Sequence, residues 1–308
     1  MRRGAPRVRR RLVQLGAIFP QTEIEGDAAA LRAFARDVEQ AGYSHLLAFD
    51  HVLGVDPDSP DGWSAPYTHE TPFHEPLLLL AHFAACTERL EFVTDVLVLP
   101  QRQALLVAQQ AATLAQLAGG RLRLGVGVGW NPIEYEALGV DFGRRGRIIE
   151  EQIALMRALW SQEEVAFEGR YHSVHGPMRP RPERGAIPIW MGGAAPPVLS
   201  RVGRLAEGWF PPHGDPAALA PDLARVHQAA DDAGRDPGSI GVEVNLPLVR
   251  GGVRVDAADY EGAARAARRW EESGVSHLSV NTMGAGWSAP GQHAEALERF
   301  REALARAA

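Results

Sequence analysis

Apolar residues recur along this chain in two alternating rhythms, short unbroken runs and stripes spaced three and four apart, which together predict strands separated by helices. Val13 to Phe19 is the first run, and Asp27 caps the stripe of Leu31, Phe34, Ala35 and Val38 that follows. His45 to Phe49 predicts strand two. A long connection rich in proline, aspartate and histidine, Asp50 to His74, then leads to a helix that Pro76 opens in its first turn. Leu90 to Leu99 predicts strand three. Val107, Ala111, Leu114 and Ala118 mark a helix stopped by Gly119 and Gly120, and Leu122 to Gly127 predicts strand four.

Ile149, Ile153, Met156 and Trp160 predict the next helix, after which Ser161 to Ala186 has the broken, proline-rich look of an inserted arm. Strand five begins at Ile187, and Glu207 to Phe210, Val242 to Val249 and His277 to Met283 predict strands six to eight. Helical stripes lie between and after them at Val198, Val202 and Leu205; at Leu219, Leu223, Val226 and Ala230; at Ala263, Ala267 and Trp270; and at Leu297, Phe300 and Leu304. Eight strands alternating with eight helices predict a parallel sheet, and at this length an α/β (βα)8 TIM barrel rather than an open doubly wound sheet. The barrel is expected to be one domain over residues 12–308, behind an arginine-rich tail over 1–11. In such a barrel the site lies at the carboxyl ends of the strands. The Asp50 to His74 loop, the turn at Gly127 to Gly129 and the Gly192 pair are therefore expected to meet at one mouth.

Composition narrows the partners. The net charge is −6, which argues against nucleic acid, and no apolar run is long enough to span a bilayer. Six arginines fall within the first eleven residues, but no apolar segment follows them as in a secretory signal, so a cytoplasmic protein is expected. All 32 cationic side chains are arginine. The lack of lysine removes Schiff-base chemistry and the Walker lysine. The single cysteine, Cys86, reads as a small buried hydrophobe.

Candidate chemistry collects at the predicted strand ends. Gly125, Gly127 and Gly129 alternate, which does not match the G-x-G-x-x-G spacing of a dinucleotide fold; they either bare the strand tip for a ligand or relieve crowding inside the barrel. Gly192 and Gly193 precede a helical stripe, which suits either an anion held by N–H groups at a helix start or a tight turn. Asp50 and His51 could form an acid–base pair in which the carboxylate orients the imidazole, or could anchor the long loop. His69 and His74 share that loop, but the histidines lack the spacing of a metal site, so no metal is expected. Trp63, Tyr67, Phe73, Trp130, Trp190 and Trp209 could wall a pocket for a planar ligand. Arg170, Arg179, Arg181 and Arg184 of the arm could meet a polyanionic tail or simply face water.

Four segments resemble the bacterial luciferase-like flavin and deazaflavin oxidoreductase family, in its coenzyme F420-dependent branch. They are FDHV at Phe49 to Val52, VTDVLVLPQRQ at Val93 to Gln103, GGRLRLGVGVGWNPIEYEALG at Gly119 to Gly139, and IPIWMGGAAPPVLSRVGRLAEGWF at Ile187 to Phe210. The resemblance covers nearly the whole chain and implies a flavin-type ring against a bulge in strand three, at a non-prolyl cis peptide between Asp95 and Val96. Relatives more often carry glycine or serine where Asp95 stands. It further implies that Gly127, Val128, Gly129 and Asn131 line the ring and its ribityl side, and that Gly192, Gly193, Ala194 and Ala195 hold the phosphate. By the same resemblance His51 lies near the hydride-transferring carbon, with Asp50 as its orienter.

The activity so implied is hydride transfer between F420 and a small organic substrate, in a homodimer. Members that oxidise a sugar phosphate have a glutamate where Val128 stands and use lysines for the phosphate; this chain has neither. An FMN-dependent luciferase-like monooxygenase is the alternative within the enzymes, and a non-catalytic flavin or deazaflavin carrier or sensor lies outside them. A barrel hydrolase with metal at His51, His69 and His74 is a third.

Overall fold

Eight parallel staves close into a ring, and helices pack around its outside. The computed structural model describes residues 13–25, 27–54, 56, 58, 67–249 and 259–307, so the expected tail over 1–11 and Trp63 lie outside the described residues. In chain order the elements begin with β1 (Gln14–Ile18), α1 (Ala28–Gln40), β2 (His45–Ala48), α2 (Pro76–Ala84), β3 (Glu91–Thr94), β4 (Leu97–Val98) and α3 (Ala104–Leu117). They continue through β5 (Leu122–Gly127), α4 (Pro132–Ala137), α5 (Arg145–Ser161), β6 (Ala166–Glu168), β7 (Ser173–His175), β8 (Ile189–Gly192) and α6 (Pro196–Leu205). The last are β9 (Gly208–Phe210), α7 (Pro216–Asp232), β10 (Gly241–Pro247), α8 (Tyr260–Glu272), β11 (His277–Asn281) and α9 (Pro290–Arg306). Around the ring the order is β3-β2-β1-β11-β10-β9-β8-β5, and pairing of β3 with β5 closes it.

Stave three departs from the expected single strand over Leu90 to Leu99. It is split into β3 and β4, and the peptide between Asp95 and Val96 at the split is cis. Val93 pairs with Arg123 and Leu97 with Val126, so four steps along this stave face three along β5. One extra residue on one side is a bulge. Stave five starts at Ile189 rather than Ile187, and the inserted arm contains the antiparallel hairpin β6–β7. The short helix α4 carried no stripe long enough for periodicity to register.

The large apolar core lies between the ring and the helices, where the predicted stripes bury Phe34, Val107, Met156, Val226, Trp270 and Phe300. Inside the ring a smaller cluster, Ile18, Leu47, Val93, Trp190 and Phe210, fills one layer. Barrel interiors are usually packed with branched apolar residues. Here the interior also holds Arg123, Glu243, His45 and Ser279, all buried. No helix among the described residues is long and apolar enough to cross a membrane.

Candidate functional site at the barrel mouth

A cavity of about 540 Å³ opens between the carboxyl ends of the staves. His51 and Tyr67 wall it on one side, Val96 and Gly127 to Trp130 on another, and Gly192 to Ala195 on a third, so the three expected segments do share one mouth. Its volume suits a small-molecule site.

His51 is fixed by a residue that sequence reasoning did not single out. Its Nδ1 lies 2.8 Å from Glu134 Oε1, while its ring meets Tyr67, Phe73 and Trp130 edge-on with centroids 4.9, 4.9 and 5.3 Å away. The same Glu134 oxygen accepts the N–H groups of Val52 and Leu53, and Oε2 accepts from Gln101 Nε2. Burial alone would raise the Glu134 carboxyl, but these donors outweigh it and hold the group below the ordinary glutamate range. An ionised Glu134 makes His51 Nδ1 the protonated nitrogen and leaves Nε2 for chemistry in the cavity. The local signal was Asn131-Pro132-Ile133-Glu134, a cap with proline at the first helical position and glutamate at the third. In α4 that glutamate turns across to His51 rather than back to its own cap.

Two expected roles are corrected. Asp50 does not orient His51: one oxygen accepts from Arg102 Nη2 at 2.7 Å and the other from Val98 N at 2.8 Å. Arg102 also holds Glu75, the cap of α2. Asp50 therefore ties β4, and with it the bulge, to the end of β2. Asn131 does not line the cavity, because its side chain caps α4 by accepting from the N–H groups of Ile133 and Glu134.

The glycines answer a different question from the one their spacing posed. A methyl group added at Gly127 would come within 2.5 Å of Val96 Cγ2, and one at Gly192 within 3.0 Å of Val96 Cγ1. At Gly125 it would collide with the Thr94 carbonyl. Their bareness first makes room for the bulged stave, which then presents Val96 between them to the cavity. The anion cradle is also smaller than the expected Gly192 to Ala195, since Gly193 N already donates to Phe210 O, and the helix start adds nothing, because Pro196 and Pro197 have no N–H to give and Val198 N turns back to Ala195 O. The N–H groups of Ala194 and Ala195 take part in no hydrogen bond among the described residues. Arg145 supplies a cation to the same cavity, stacked 3.6 Å over Phe142, with its Nε buried and unpaired.

The aromatic and cationic candidates divide. Tyr67 and Trp130 line the cavity, whereas Trp190 packs under Arg123 in the barrel interior and Trp209 is buried, donating to Gly193 O. His74 faces Phe19 and the Glu25 carbonyl. Arg179, Arg181 and Arg184 line hollows near the start of β8, at the far end of the barrel, and Arg181 pairs with Glu163.

Comparison with known proteins places this geometry. A family model described as luciferase-like monooxygenase matches residues 12–307. An uncharacterized protein of Mycobacterium tuberculosis is 37% identical over 224 residues, 70% of this chain and 77% of that protein. An F420-dependent glucose-6-phosphate dehydrogenase of Kineococcus radiotolerans is 30% identical over 227 residues, 71% of this chain and 63% of the relative. Among solved structures, an F420-dependent secondary alcohol dehydrogenase with an F420-acetone adduct superposes with a TM-score of 0.74 at 17% identity, covering 95% of this chain and 99% of that one, a likeness that bears on the fold alone.

Proposed function

The chain belongs to the luciferase-like monooxygenase family, and from that premise we propose that it is an F420-dependent oxidoreductase moving a hydride between the deazaflavin and a small organic substrate. The observation that carries the reading is the His51–Glu134 pair set into a cavity of about 540 Å³, in a chain with an F420-dependent enzyme among its relatives. The residues fit the group. Val96 and the glycine-bared edges of β5 and β8 offer a flat apolar wall, while the Ala194 and Ala195 N–H groups and Arg145 offer donors for an anion.

When bound, the deazaflavin supplies the carbon that accepts or donates hydride. His51 Nε2 takes or returns the substrate proton, and Glu134 holds the imidazole in the tautomer that leaves this nitrogen free while stabilising the imidazolium that forms. Phe73, Tyr67 and Trp130 pack the ring and keep water from it. Leu78, Leu105, Leu106 and Leu117, exposed on α2 and α3, suit the homodimer expected for the chain.

Equilibrium binding of F420 and of FMN to purified protein tests the reading. Micromolar or tighter binding of F420, with reduction by a panel of alcohols or other hydride donors, is the expected result. Retention of FMN with no uptake of F420 turns the assignment to an FMN-dependent monooxygenase, and F420 binding without turnover by any donor turns it to a carrier.

A further inference from the structure

The cavity floor carries a carboxyl group for which the His51 corner has no use. Asp95, on the bulge of stave three, lines the cavity together with Glu243 and Asn245 of β10 and Ser279 of β11. Its carboxyl accepts no hydrogen bond from the described residues. Asn245 Oδ1 is likewise buried without a donor. Beneath them Glu243 is fully engaged, with Arg123 Nη1 at 2.6 Å, His45 Nε2 at 2.7 Å and the Ser279 hydroxyl as a third partner. Burial would raise Glu243, but Arg123 and His45 overcome it and hold it well below the ordinary range, so Glu243 is a fixed negative charge.

Two charges act on Asp95 directly, while Asp50, Glu134 and Arg145 line the same cavity. Glu243 from β10 disfavours a second anion; Arg123 from β5 favours one but is already divided between Glu243 and Glu91; His45 from β2 and His277 from β11 act on Glu243; and Tyr67 and His51 face the same cavity. Burial, then Glu243, outweighs Arg123 and pushes the Asp95 carboxyl up to about 7.

We propose that Asp95 meets the bound molecule as a neutral acid and, with the unpaired Asn245 carbonyl, forms a floor subsite for a cyclic amide or imide edge, giving its O–H to a ligand C=O and leaving Asn245 to accept the ligand N–H. Glycine or serine at position 95 could not make this proton-linked contact. A bound acceptor holds the proton on Asp95 more tightly, so binding above pH 7 draws a proton from solvent. Affinity then falls with rising pH, by up to about tenfold per pH unit.

The inference rests on the deazaflavin reading for its probes, F420 and FMN, both of which carry an imide-type pyrimidine edge. Calorimetry at pH 8 in buffers of different ionisation enthalpy counts the protons taken up. Wild-type protein is expected to take up close to one, and Asp95→Asn, which keeps a donor but cannot titrate, none, with affinity flat between pH 6 and 8. Asn245→Leu is expected to weaken binding up to about tenfold at pH 6. No uptake by wild type, the same uptake by Asp95→Asn, or unchanged affinity of Asn245→Leu overturns the subsite. Should neither probe bind, the functional reading fails, and carbon-13 NMR of labelled aspartate in the ligand-free protein, assigned by difference from Asp95→Asn, still decides the proton. A midpoint near 7 upholds the neutral acid and one below 5 refutes it.

Discussion

Glu134 and Asp95 line one cavity, and their surroundings drive them in opposite directions. Glu134 is 1% exposed yet ionised, because two backbone N–H groups, Gln101 and His51 supply donors for its charge. Asp95 is less deeply buried, but finds no donor among the described residues and sits near Glu243, whose fixed negative charge disfavours a second anion. The contrast shows that burial alone does not decide a carboxyl's proton; the count of committed donors does. Pairs of acids driven apart in this way let one site hold a base and an acid at the same pH.

The largest effect should come from the ionised corner. Replacing His51 by alanine removes the group that carries the substrate proton, and turnover should fall roughly 10² to 10⁴-fold. Binding of the coenzyme should change little, because the Ala194, Ala195 and Arg145 donors lie elsewhere in the cavity. Steady-state kinetics beside equilibrium titration would separate the two; an equal loss in both would mean that His51 is a wall and not a proton carrier.

Asp95→Asn addresses the other side of the comparison through stability. Burial and Glu243 push the folded carboxyl up to about 7, against an ordinary value of 3.8 in the unfolded chain, so between those points the folded chain holds the extra proton. Wild type therefore loses stability as pH rises from about 4 to 7, and the neutral asparagine does not. At pH 8 the variant should be the more stable by up to about 4 kcal/mol, reduced by whatever water reaches the carboxyl, and the gain should vanish by pH 4. Urea melts at both pH values would show it. An equal gain at pH 4 and 8 would trace it to packing and not to the proton.

Much of the barrel could be read from the chain because each stave and its covering helix repeats a local rhythm, and the break in stave three fell where VTDVLVLPQRQ implied it. The site was less legible wherever a side chain's partner lies far away in sequence. Asp50 adjoins His51, and adjacency suggested a pair; yet just beyond the end of β2 Asp50 turns to Arg102 while His51 turns to Glu134, 83 residues on. The glycines of β5 were visible as bare, but what filled the bareness, Val96 and the Thr94 carbonyl, depended on a bulge whose depth no spacing encodes. Asp95 could be seen only as a departure from its relatives. Its meaning required Glu243 and Arg123, which arrive from β10 and β5.

The smallest effect we expect tests whether the proton or merely the position of Glu134 matters. Glu134→Gln keeps the size and one acceptor oxygen for the Val52 and Leu53 N–H groups, so the loop and α4 should hold and the melting temperature should stay within a few degrees. What disappears is the charge that keeps Nδ1 protonated and stabilises the imidazolium. Turnover should fall by about ten- to a hundredfold while coenzyme binding stays close to that of wild type, because a neutral amide no longer stabilises the cation that forms at His51. If coenzyme binding instead weakens as much as turnover, Glu134 acts through ring placement alone, and the division of labour between an ionised corner and a neutral floor would have to be redrawn.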